Sequence, residues 1–288
     1  MGSKPESGGS DAREATAKSS ERPAIGGTST AILRVESGKR VRSSVVLVVV
    51  FALLAAMYFA MFPSMQEEME VLEDAFPAFF FEMFGIEALH TIEGFIAAEI
   101  YSFFWIVLVG IYFAYVGAGM IAKDVAERKM DLTLSNPISR ESVLLQKVAA
   151  LWLPLAVLNV GVGGIVLLGG VAIGEPIDPV AVVMVHLLSI PYLLVCGAIG
   201  LVISVGIGHV RTARATALTV VFALWLVDSV SLLDENFEWI GAVGPSRYYD
   251  ETAILVREEY AYGDAVILLV VFLALIAVAA FVFSRRDI

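Results

Sequence analysis

The chain has 288 residues, of which 58% are hydrophobic and 17% charged, with a mean hydropathy of +0.82. That leaves too little polar surface to wrap a soluble core of this size, so the apolar residues must face lipid. A net charge of −11 carries no expectation of a nucleic-acid partner, and the single cysteine, Cys196, excludes an internal disulfide framework.

Residues Met1 to about Thr30 are rich in Gly, Ser, Glu, Lys and Ala without apolar periodicity, and are expected to form a disordered tail (1–30) ahead of one membrane domain (31–288). From Ala31 to Arg42, Ile32, Leu33 and Val35 give way to Lys39, Arg40 and Arg42. That pattern fits either a short helix at the inner membrane surface or the basic flank of the first span. Val45 to Phe62 is the first window of spanning length. It begins too late, and lacks the small-residue cleavage site, to be a signal peptide. Pro63 to Glu99 reads as an outer loop whose Phe76, Phe79, Phe80, Phe81 and Phe84 rest on the outer leaflet.

Four further uncharged windows follow: Ile100 to Ala122, Val148 to Gly174, Val180 to Gly208 and Ala265 to Ser284. A fifth, Ala215 to Leu233, is interrupted only by Asp228. Because the runs are continuously apolar rather than alternating, they predict helices, and the fold class is all-α with six transmembrane helices. Pro154 and Pro191 are expected to bend the third and fourth helices. Gly161, Gly163, Gly164, Gly169 and Gly170 are expected to let neighbours pack closely on the third. Asp234 to Asp264, with Trp239 and four tyrosines, predicts short interfacial pieces.

Sorted by alternate loops, 17 of the 19 Lys and Arg residues fall on one side, leaving only Arg247 and Arg257 opposite. The positive-inside rule therefore places both termini in the cytoplasm of a cell-membrane protein. The opposite side holds 20 of the 30 acidic residues, a surface suited to a very salty medium and a halophilic source. Three ionisable residues lie within or at the ends of spans: Glu99, His186 and Asp228. Such groups are costly in lipid and usually face a cavity or a partner, so they are candidates for a translocation path.

The segment Ile121 to Lys147 is the one sizeable inner loop. Asp124, Glu127, Arg128 and Asp131 have the three- and four-residue spacings that would let helix 2 continue past the membrane with intrahelical ion pairs. Pro137 would then end helical geometry at Asn136, and Ser139 would cap a new helix through Lys147 into helix 3. The product is a bent lever at the membrane surface.

The residues Glu127, Asp131, Leu132, Leu134, Ser135, Pro137, Ile138, Ser139, Arg140 and Lys147 resemble the inner-loop pattern of the ABC-2 permease superfamily. In that superfamily a Glu-rich turn precedes a Leu-Leu-Ser-x-Pro-hydrophobic-Ser-Arg core and a downstream Lys. The resemblance extends to the six-helix layout, to Pro245–Asp250 before helix 6 and to the Arg285–Ile288 ending, with Lys129 and Met130 where many relatives have Gly and Thr. It implies a type V exporter-like fold whose loop docks an ATP-binding subunit through Asp124, Glu127, Arg128, Asp131, Ser135, Pro137, Ser139, Arg140 and Lys147. It also implies a second permease copy or paralogue in a lipid bilayer. ATP and Mg belong to the partner, since no phosphate-loop lysine exists here: Gly26 to Thr30 lacks one. Metal-ligand spacings and nucleophile elbows are also missing, so no cofactor and no enzymatic activity are expected in this chain. The other readings are an ion-coupled secondary transporter using Glu99, His186 and Asp228, and a non-transporting scaffold or enzyme subunit.

Overall fold

A computed structural model describes Gly2 and residues 31–75, 88–130, 139–234 and 236–285. The expected tail, the phenylalanine cluster from Phe76 to Phe84, and Asp131, Ser135 and Pro137 lie outside the described residues. The chain divides into Met1–Thr30 and Ala31–Ile288, and the second unit holds every helix among the described residues.

The helices are α1 (Ala31–Ala75), α2 (Ile92–Ala118), α3 (Ala122–Ala126), α4 (Arg140–Ala149), α5 (Trp152–Ile173), α6 (Pro179–Gly206), α7 (Val210–Ser231), α8 (Glu238–Gly241), α9 (Glu251–Leu255) and α10 (Tyr262–Arg285). A 3₁₀ turn, Pro245–Tyr248, lies between α8 and α9. Six spans are long and apolar enough to cross a bilayer: Leu33–Gln66, Ile92–Ala118, Arg140–Ile173, Pro179–Gly206, Val210–Ser231 and Tyr262–Arg285. No strand occurs among the described residues.

Ala31–Arg42 forms the opening turns of α1, matching the basic-flank alternative and not a separate surface helix. Two boundaries differ from the sequence reading: α1 continues through Pro63 instead of ending there, and the second span starts earlier. Proline removes one backbone donor, yet Glu, Met, Leu and Ala dominate the next twelve residues, and their helix propensity carries the chain on. At 45 residues α1 is roughly 68 Å long and must project beyond a ~30 Å hydrocarbon core. The second span begins at Ile92, ahead of the expected Ile100, because Thr91 caps it by accepting from the Gly94 N–H at 3.2 Å.

The middle of α2, Ala97–Val109, is π-helical, and the Ser102 hydroxyl follows that wider turn by donating to the Ala97 carbonyl at 2.8 Å. Pro154 explains the break between α4 and α5. It has no N–H for the Ala150 carbonyl, so the helix restarts at Trp152 with the proline in its first turn. Gly174 ends α5 at φ +86°, a conformation glycine adopts without strain, and Asp178 caps α6 by accepting from Ala181 N at 2.9 Å.

The most buried span is α6, which packs against α2, α5, α7, α9 and α10. Its approach to α2 is set by Gly117, Gly197 and Gly200. A methyl on Gly117 would meet the Gly197 carbonyl, and one on Gly200 would meet the Ala114 carbonyl. The glycines of the third span also serve packing. Gly161 admits Val48, Gly169 admits the Phe59 ring and Gly163 admits His186, whereas Gly164 faces open space.

Candidate functional site

Two groups of polar side chains stand out, one at each end of the bundle. The first lies where α1 begins and α10 finishes. Here α2 stops at Ala118, and α3 starts after a break that Ser204 of α6 makes possible: its hydroxyl accepts the N–H groups of Ile121 and Ala122 at 3.0 and 2.9 Å. Those donors would otherwise be orphans at a helix start.

Lys147 of α4, only 2% exposed, gives its ammonium to Asp124 of α3 at 2.6 Å and lies 3.6 Å from Glu36 of α1. Glu36 also holds Arg40 at 3.2 Å and Lys39 at 2.9 Å, and the Arg40 guanidinium reaches the Lys147 carbonyl at 3.4 Å. The network ties α1, α3 and α4 into one body. Arg140 extends it to α10 by donating to the Phe283 and Ser284 carbonyls at 3.1 and 3.4 Å.

Helix 2 does not run on through Asp131 as its charge spacing had implied. The helical turn α3 closes at Ala126, and Arg128 takes φ +53°, which turns the chain back so that Met130 is buried. Glu127 and Arg128 are left exposed at the apex. Glu127 pairs with Lys129 and lies 3.9 Å from Lys123, and the hydrogen bond from Lys129 holds its carboxyl below the usual range. Ser139 caps α4, accepting from Ser142 N at 3.1 Å. Of the nine sequence-selected residues here, Asp124 and Lys147 face each other inside the protein, while Ser139 and Arg140 begin α4. Glu127 and Arg128 face outward, and Asp131, Ser135 and Pro137 lie outside the described residues.

The second group lies in the half of the bundle toward α8 and α9. His186 of α6 is 5% exposed, and its Nε2 lies 3.0 Å from the Tyr101 hydroxyl. Its ring meets those of Tyr101 and Trp105 edge-on, with centroids 5.6 and 4.8 Å apart. Next to it the chain re-enters the bundle. Tyr249 donates to the Val185 carbonyl at 3.1 Å and stacks on Tyr192, and the Glu251 carboxyl lies 2.6 Å from the Ser102 hydroxyl. Glu251 is buried, and desolvation pushes its pKa up to about 7. Residues 245–255 form short pieces, as expected from sequence, and pack as a plug against α2 and α6, while Trp239 stays exposed at the rim.

The three intramembrane candidates are not brought together. Asp228 accepts from Ser246 of the 3₁₀ turn, Glu99 lies beside Tyr58, and His186 belongs to the aromatic cluster. Sequence reasoning missed Glu36 and Arg40, although their four-residue spacing on one helix was a signal. It also missed Glu251, which carries none, because Asp250 and Glu251 together look like any exposed acidic pair. No cluster of three or more His, Cys, Asp or Glu able to hold a metal occurs among the described residues.

No curated protein matches the sequence. A family model described as ABC-2 family transporter protein matches residues 30–288, the whole helical bundle. The chain therefore belongs to the ABC-2 transporter family, as a multi-pass membrane protein.

Proposed function

We propose that this chain is the permease subunit of an ABC exporter in the cell membrane, driven by a separate ATP-binding subunit that docks on the segment between the second and third spans. Both termini are cytoplasmic in this reading. ATP and Mg are handled by the partner, and two permeases, identical or paralogous, rock between inward- and outward-open states.

The observation that carries the reading is the elbow at α3 and α4. It presents Glu127 and Arg128 outward, and the buried Lys147 fastens it to α1 and α3. A load applied at the apex would reach the first, second and third spans without first being spent on bending a loop. Docking would involve Glu127, Arg128 and the stretch containing Asp131, Ser135 and Pro137, and Asp124, Ser139, Arg140 and Lys147 would brace it from within.

Tagged native protein should copurify with an ATPase, and the double variant Glu127→Ala/Arg128→Ala should lose that partner while keeping its own thermal stability. Transport that proceeds without ATP, with no ATPase recovered, would end the proposal.

A further inference from the structure

A groove of about 520 Å³ opens on the outer surface of the bundle between α1, α2 and α7, at the end where α1 begins. Its volume falls within the ~300–1,000 Å³ of ordinary ligand sites. Lys39, Arg42, Ser43 and Tyr112 stand at one end, and Val50 and Leu108 lie at the other, eight residues and about 12 Å further along α1 from Arg42. The floor is polar and ordered: the Tyr112 hydroxyl lies 3.0 Å from both the Ser43 and the Ser44 hydroxyls.

No acidic residue lines the groove among the described residues, and charge around its polar end is in surplus. Lys39, Arg40 and Lys147 share Glu36 and Asp124, which leaves one positive charge in excess. Arg42 adds a second and has no ion pair among the described residues. Arg214 of α7 adds a third. Its guanidinium stacks 4.0 Å over the Tyr115 ring that lines the groove, and its Nε has no hydrogen-bond partner among the described residues.

We infer that the groove is a binding site for an anionic phospholipid of the surrounding bilayer, its phosphate held by Arg42, Lys39 and the Ser43/Tyr112 hydroxyls and an acyl chain lying along Val46, Val50 and Leu108. A zwitterionic lipid fits the apolar length equally well but adds a cationic group beside three uncompensated positive charges. The polar end therefore selects for net negative charge, whereas the apolar end selects only for being a lipid. A basic recess between spans at headgroup depth is the arrangement that holds acidic headgroups, and each basic side chain near the surface contributes about fivefold in affinity. The inference needs only the membrane fold, so it stands or falls independently of the ATPase partner.

The test is native mass spectrometry of the delipidated full chain in detergent, titrated with phosphatidylglycerol or phosphatidylcholine of identical acyl chains. The wild type should retain one phosphatidylglycerol at least about fivefold better than phosphatidylcholine. Lys39→Gln/Arg42→Gln should lower that ratio by at least about fivefold, on the same per-residue scale, with Arg214 left to supply the remainder. Val50→Trp, which fills the apolar end, should weaken both lipids alike. Arg285→Gln, a basic residue on α10 away from the groove, should change nothing. A wild type without preference would overturn the site, as would a preference that Lys39→Gln/Arg42→Gln leaves undiminished or one that Arg285→Gln reduces as much. Arg42→Gln alone, at an exposed position, provides the same reading if the double variant folds poorly.

Discussion

Replacing Lys147 by methionine keeps most of the side chain's length and apolar volume and removes only the ammonium from a site that is 2% exposed. Two carboxylates lose a partner, but unequally. Glu36 retains Arg40 at 3.2 Å and Lys39 at 2.9 Å, whereas Asp124 loses its 2.6 Å contact and no other ion pair replaces it among the described residues. Breaking a buried pair from one side costs about 3–5 kcal/mol, and with one carboxylate still compensated the loss should sit near 3 kcal/mol. Asp124→Asn/Lys147→Met removes both charges and should recover most of it, giving a coupling of about 2 kcal/mol in a double-mutant cycle. The assay is equilibrium unfolding in mild detergent followed by tryptophan fluorescence. If Lys147→Met costs less than about 1 kcal/mol and the two changes are additive, the ammonium is solvated in practice and the elbow is not clamped. Should the cycle hold, the proposed exporter makes a further expectation: Lys147→Met still binds its ATPase but couples hydrolysis to transport poorly.

Gly117→Ala should fail to give a monodisperse protein on size-exclusion chromatography, or lose about 1–3 kcal/mol or more, because its methyl meets the Gly197 backbone, which cannot swing aside. Gly164→Ala, facing open space, should be neutral or gain up to about 1 kcal/mol from helix propensity. Glu251 has its folded-state pKa raised from 4.5 to about 7 by burial, so the folded state holds its proton more tightly than the unfolded state does. Its contribution is fully present below pH 4.5 and is lost as the pH rises through 7. Melting curves of wild type and Glu251→Gln should therefore diverge in favour of the variant as pH climbs through that window, and parallel curves would count against a buried carboxyl. Tyr101→Phe deprives a buried imidazole of its hydrogen-bond partner and should cost about 1–3 kcal/mol by the same unfolding assay.

Span number and approximate position were legible because lipid exposure imposes a composition that needs no tertiary context. Four of the five third-span glycines, all but Gly164, sit at close contacts as expected, since small residues in an apolar helix have few other uses. Boundaries were not legible where a local competitor decided them. Pro63 reads as a terminator, yet the helix formers after it outweigh one lost donor. Helix 2 reads as continuing through Asp131, yet Ser204, more than eighty residues away in sequence, supplies the acceptor that lets it break at Ile121.

The candidate residues divide along the same physical line. Lys147 was picked from a motif and Asp124 from helical charge spacing, but the pairing of Lys147 with Glu36 could not have been, because it depends on α1 crossing the elbow at that point. Glu251 was invisible for a related reason: in a loop of ordinary acidic composition, burial is decided by whether the following turns fold outward or inward. Here they fold inward because Tyr249 donates to the Val185 carbonyl and stacks on Tyr192. Once the tyrosine is seated, Glu251 is carried to Ser102 two residues later. The plug and the elbow are thus both made by polar groups satisfying donors or acceptors in α6. That helix is the common reference against which the two ends of the bundle can shift, so changes at Ser204 and at Tyr249 should be read at opposite ends of the same rigid element.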